Sequence, residues 1–112
     1  MNTLSCMIAG DILDTQAADI GAILAAGPWQ VRCSDEVKLD DGNLSMEIYP
    51  SGIGRDFLVS GGMDGTLDAV RAAIEKLGAL LAAGGLRYSF EIAAEDNPDN
   101  EFFVRHPDLE KP

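Results

Sequence analysis

Ile20-Gly21-Ala22-Ile23-Leu24-Ala25-Ala26-Gly27-Pro28 returns 57 residues later, almost unchanged, as Leu77-Gly78-Ala79-Leu80-Leu81-Ala82-Ala83-Gly84-Gly85. Each copy follows an apolar strand-like run, closes on glycine and leads into another strand-like run. The chain therefore reads as two strand-helix-strand units. This constrains the architecture more than any other feature of the sequence.

The rest of the chain fits around that duplication. Leu4, Cys6 and Ile8 alternate with Thr3, Ser5 and Met7 as a first strand, closed by Gly10. Asp14 or Thr15 then caps a helix with Ala17, Ile20, Ile23 and Leu24 on its inner face, ending at Gly27-Pro28. The segment Trp29 to Leu39 is strand-like but interrupted by Ser34-Asp35-Glu36. Asp40-Asp41-Gly42-Asn43 is a turn signal that predicts a hairpin with Leu44-Met46-Ile48. Phe57-Leu58-Val59 is a short covered strand, and Gly61 to Gly65 lead as a glycine-rich loop into the second helix.

That helix carries Leu67, Val70, Ile74, Leu77 and Leu81 as one stripe, with Asp68 in its first turn and Gly84-Gly85 at its end. Tyr88-Phe90-Ile92 alternate with Ser89-Glu91-Ala93 as a strand covered on one face. Glu95 to Asn100 form a loop, Glu101 to Arg105 a last strand, and residues 107–112 a tail.

Two such units with right-handed crossovers pack most simply as an α+β, ferredoxin-like two-layer sandwich. It has a mainly antiparallel sheet, extra hairpin strands and both helices on one face, in a single domain over 1–112. Gly21 and Gly78 each cost roughly 1 kcal/mol of helix propensity against alanine, so each needs a packing reason. Cys6 and Cys33 fall inside strand-like runs and are expected as buried, reduced thiols, not as a metal site. No apolar run reaches the roughly 20 residues of a membrane span, and Met1-Asn2-Thr3-Leu4 lacks a charged signal-peptide start, so a cytoplasmic location is expected.

A net charge of −11 over 112 residues excludes ordinary nucleic-acid binding and disfavours anionic membranes and ligands. It suits a cationic partner, or serves solubility alone.

Chemistry-bearing motifs fail on inspection. Ser60-Gly61-Gly62-Met63-Asp64-Gly65-Thr66 is placed like a phosphate cradle. However, Gly65 stands where a P-loop lysine belongs, and Asp64 and Asp68 repel phosphate. A tight turn with an Asp or Thr helix cap explains it, with a small-molecule pocket at Gly61–Gly65 as the alternative. His106-Pro107-Asp108 ends a strand. Asp96, Asp99 and Glu101 lack the glycine and distant glutamate of a calcium loop. Asp35-Glu36 and Asp40-Asp41 lie in polar turns where water keeps carboxylates ionised. Ser5, Ser60 and Ser89 have no activating histidine nearby in sequence. No enzyme, cofactor or metal is expected.

The Ala/Leu-rich second helix, Leu86-Arg87-Tyr88-Ser89-Phe90-Glu91-Ile92, the acidic turn and the aromatic strand ending in His106-Pro107 resemble small acidic immunity proteins of bacterial polymorphic-toxin and contact-dependent inhibition systems. The resemblance spans about residues 57–107. It implies a cytoplasmic, non-enzymatic protein that binds and neutralises a cognate toxin, often a basic nuclease, and it carries no shared catalytic residues. Two acidic clusters are the candidate partner surfaces. One holds Glu91, Glu95, Asp96, Asp99 and Glu101, flanked by Tyr88 and Phe103 as exposed aromatic anchors; the other holds Asp35, Glu36, Asp40 and Asp41. A homodimer is compatible with the sequence.

Overall fold

The 3.6-residue stripe on the second helix dictates the core. In the computed structural model, which describes residues 4–94 and 97–106, α2 spans Leu67–Ala83 and buries Val70, Ile74, Leu77, Gly78 and Leu81. Its first turn is capped by Thr66, whose hydroxyl accepts the Ala69 N–H at 3.2 Å. The shorter α1, Ala17–Leu24, buries Ile20, Gly21 and Leu24.

The seven strands are β1 (Leu4–Leu13), β2 (Gln30–Cys33), β3 (Val37–Asp40), β4 (Leu44–Pro50), β5 (Phe57–Gly65), β6 (Arg87–Ala94) and β7 (Asn97–Arg105). They form one sheet in the order β2-β3-β4-β5-β1-β6-β7, every neighbouring pair antiparallel. This is an α+β fold. Strands β2 to β5 follow one another as a meander, and β1 lies between β5 and β6, so β5-α2-β6 is a crossover over β1.

Period-2 alternation sends one set of side chains into a single core: Ile8 and Ile12 from β1, Leu39 from β3, Met46 and Ile48 from β4, Phe90 and Ile92 from β6. The helix stripes belong to the same core, so both helices cover the same face of the sheet. The alternate residues stand on an uncovered face.

Both helix glycines have the packing reason that their cost demands. A Cβ on Gly78 would lie 2.7 Å from three atoms of the Tyr88 side chain, and one on Gly21 would lie 2.9 Å from Cβ and Sγ of Cys33. In each repeat the glycine lets the helix approach the strand that follows it.

Several local expectations are corrected. The first strand does not close at Gly10 but runs through it to Leu13. Neither Asp14 nor Thr15 caps α1. The cap position is Gln16, without a side-chain capping bond. Asp14 is in the left-handed region (φ 48°) and donates its N–H to Asp56 Oδ1 at 2.9 Å, while Thr15 is buried. Gly61–Gly65 is not a loop, because these residues are the second half of β5, paired with β1 on one side and, through Gly61 to Met63, with β4 on the other. The last strand starts at Asn97, not Glu101.

Cys6 is buried as expected, but Cys33 is exposed, with its thiol donating to the Ala17 carbonyl at 3.3 Å. It lies on the edge strand β2, whose inner side an eight-residue helix covers only in part. Glu95, Asp96 and the tail 107–112 lie outside the described residues.

Candidate functional site

Strand direction decides which acidic turns meet. Leu44 of β4, Met63 of β5, Cys6 of β1 and Ala94 of β6 form one row across the sheet, with Asn97 of β7 next to Ala94. The β3–β4 turn, the β5–α2 junction and the β6–β7 hairpin therefore share one end of the sheet. This end brings together Asp40 and Asp41, Asp64 and Asp68, and the β7 positions of Asp99 and Glu101. With strands spaced roughly 4.8 Å apart, it is an acidic edge about 25–30 Å long. Arg71, in the second turn of α2, is a cation near this end, and its guanidinium lies over the Phe102 ring at 4.2 Å.

Two of these carboxylates also build their turn. Asp40 Oδ1 accepts the Gly42 N–H at 2.7 Å, and Asp41 Oδ1 accepts the N–H groups of Asn43 and Leu44 at 2.9 and 2.7 Å. Gly42 takes φ 94°, as the turn requires. The Asn43 carbonyl accepts the Asp64 N–H at 3.3 Å, and the Asp64 carboxylate accepts the Ser5 hydroxyl at 2.9 Å. The β3–β4 turn and the end of β5 are thus joined by hydrogen bonds.

The earlier acidic cluster is not one cluster. Asp35 and Glu36 sit in the β2–β3 turn, at the opposite end of β3 from Asp40 and Asp41. Hairpin geometry separates them, although only three residues intervene in sequence. The later cluster is also rearranged. Glu91 and Glu101 share a hydrogen bond on the uncovered sheet face, which together with their mutual repulsion raises the Glu101 pKa above its ordinary 4.5.

Tyr88 is not an exposed anchor. It is 5% exposed, stacked on Phe90 with ring centroids 5.3 Å apart, and meets the His106 ring edge-on. Phe103 is exposed as expected, at 48%, with the Arg105 guanidinium 4.4 Å above its ring. Asp64 and Asp68 are the acidic residues that motif reading missed as partner candidates. The signal for them lay in strand direction, because a strand ending beside the start of β4 must place its acids there.

Among the described residues, no group of three or more His, Cys, Asp or Glu side chains is placed to hold a metal ion. Nor is any helix long and apolar enough to cross a membrane. The Gly61–Gly65 segment offers no open cradle, because its backbone is engaged in the sheet and a Cβ on Gly61 would lie 2.3 Å from the Ser45 carbonyl oxygen. No known protein family, curated protein or solved structure matches the chain.

The carboxylates give the fold a pH dependence of definite sign. Asp11 is raised from its ordinary 3.8, first by burial and then by the neighbouring Asp56 charge. For both Asp11 and Glu101 the folded state binds protons more readily than the unfolded chain. Their contribution to stability is therefore fully present below the unfolded pKa and is lost as pH rises through the folded one. These two groups should add to the melting temperature as the pH falls toward about 4, the ordinary carboxylate range, and Asp11→Asn with Glu101→Gln should remove that gain. An unchanged slope in the double variant would contradict the assignment.

Proposed function

We propose that this protein is a non-enzymatic binding protein of the cytoplasm that engages a basic protein through its acidic end, and that the partner is a cognate bacterial toxin which it neutralises as an immunity protein. The observation that carries this reading is that the β3–β4 turn, the β5–α2 junction and the start of β7 bring Asp40, Asp41, Asp64 and Asp68, with the chain positions of Asp99 and Glu101, to one end of the sheet. Carboxylates gathered along one edge create a negative field that reaches out one Debye length, about 8–10 Å, into solvent, and this steers a cationic partner during encounter. The protein's charge of −11 acts in the same direction.

The finer architecture belongs to the same proposal. Strands β4-β5-β1-β6, with α1 and α2, follow the order and directions of a ferredoxin-like core. The β2–β3 hairpin is then an insertion after α1, and β7 an added edge. A ligand at Gly61–Gly65, the alternative from sequence, loses its support because that segment is paired strand.

The test starts from the product of the neighbouring gene, which this reading requires to be a toxin with a basic domain, and measures its association with this protein. The Asn variants at Asp40, Asp41, Asp64 and Asp68 keep the acceptor oxygens of the turn while removing four charges. They should slow association about tenfold or more at low salt and flatten its salt dependence. Asp35→Asn with Glu36→Gln, at the opposite end, should change the rate little. Equal rates for wild type and both variants would sink the mechanism.

A further inference from the structure

We infer that the uncovered face of the sheet is the interface of a homodimer, two copies packing face to face about a twofold axis that runs along β5. This goes beyond the toxin reading and does not depend on it.

The register gives the face its pattern. Arg32, Lys38, Glu47, Ser60, Ala9, Glu91 and Phe103 form one continuous row across all seven strands, and all are exposed. The row is basic on β2 and β3, acidic at Glu47 on β4, neutral at its centre, and acidic and aromatic on β6 and β7. A twofold axis along β5, the fourth of the seven strands, exchanges β2 with β7 and β3 with β6. Lys38 then faces Glu91 of the second copy, and Arg32 faces its Phe103, an ion pair and a cation–π contact that each occur twice.

Neighbouring rows agree. Tyr49, Leu58, Asp11, Ser89 and Arg105 form the next row. The same axis sets Tyr49 opposite Asp11, Leu58 beside its own counterpart, and Arg105 toward the Asp35-Glu36 turn. Arg32 and Lys38 lie directly across the β2–β3 pair from each other, a like-charge juxtaposition that Glu47, opposite Lys38 on β4, offsets only in part. No ion pair within 4.0 Å joins either to a described residue. The second copy adds a further counter-charge in Glu91, and a Phe103 ring of which the Arg105 guanidinium of its own chain covers one face.

Shape fits the same occupant. Ala9, Ser60, Gly62 and Ala93 make the middle of the face low and flat, so two sheets can approach to about 10 Å. Met7 and Leu58, 60% and 40% exposed, stand near the centre as the apolar contacts. Strands β2 and β3 have four residues each, so at roughly 4.8 Å spacing the facing sheets overlap over on the order of 600 Å², somewhat below the roughly 800 Å² per partner of a standard stable interface. The acidic ends of the two copies come to lie side by side.

Sedimentation equilibrium of the full chain at about 1–100 μM, with circular dichroism to verify folding, tests this. Wild type should be dimeric at the upper concentration. Lys38→Glu and Glu91→Lys should each weaken the dimer at least about tenfold, because each creates two like-charge contacts. The double variant Lys38→Glu/Glu91→Lys should restore it. Glu91→Lys is the discriminating case, since it changes the net charge from −11 to −9 and would favour association if overall repulsion alone mattered. A monomeric wild type, single variants that dimerise normally, or a double variant that is not rescued would each overturn the interface. None of these outcomes bears on toxin association, which is read at the acidic end.

Discussion

Replacing Ile74 with aspartate is expected to leave the protein without a cooperative unfolding transition at room temperature. Ile74 is fully buried in the inward stripe of α2, part of the one core that joins both helices to the sheet. The substitution removes a packed aliphatic side chain, worth about 2–5 kcal/mol when truncated, and adds an unpaired carboxylate costing several kcal/mol more. Domains of this size carry about 5–15 kcal/mol in total. Ala72→Asp, on the exposed side of the same helix, should shift stability by less than about 1 kcal/mol. Urea titration followed by circular dichroism separates the two. A sigmoidal transition for Ile74→Asp near the wild-type midpoint would mean that α2 is not seated on the sheet as described.

Ile74 was legible from sequence because a 3.6-residue period over seventeen residues leaves only one face for the core. The β3–β4 hairpin was legible for a similar reason: Asp40-Asp41-Gly42-Asn43 carries both the acceptors and the positive φ that the turn uses. What escaped was glycine inside strands. Gly10 and Gly61 to Gly65 carry no side chain to show alternation, and in a linear reading they look like punctuation. In the sheet they are paired residues, and the expected loop disappears. Cys33 escaped differently. Its strand was identified, but no linear pattern says that the strand is an edge.

The acidic end was half legible. Asp40, Asp41, Asp99 and Glu101 were picked out by composition of their turns. Their convergence, the addition of Asp64 and Asp68, and the removal of Asp35 and Glu36 to the far end follow from strand order. Tyr88 illustrates the limit of residue type as a guide. Tyrosine is common in interfaces, yet here the ring occupies the space that Gly78 leaves beside α2, a fact that depends on two positions ten residues apart. The alternation Tyr88-Phe90-Ile92 already sets it on the covered face of its strand.

Those strand glycines carry the second large expected effect. Gly10 lies on β1 opposite Phe90 of β6 and Val59 of β5, near the middle of the sheet. A Cβ there would fall 2.0 Å from the Ser89 carbonyl oxygen and 3.0 Å from the Phe90 Cα. Both are backbone atoms of a paired strand, so relief requires moving β6, not turning a side chain. Gly→Ala usually stabilises by about 0.4–1 kcal/mol where the backbone accepts it, by restricting the unfolded chain. Here the clash dominates, and Gly10→Ala should cost roughly 3 kcal/mol or more, at the top of the range for overpacked cores. Gly62→Ala on the adjacent strand meets only the Cys6 carbonyl oxygen at 3.2 Å and should stay within about 1 kcal/mol of wild type. Gly61→Ala, 2.3 Å from the Ser45 carbonyl oxygen, should resemble Gly10→Ala. Urea midpoints at constant m-value give the comparison. If Gly10→Ala and Gly61→Ala unfold where Gly62→Ala does, the close approach of β1 to β6 and of β5 to β4 is wrong, and with it the register that places the acidic turns at one end.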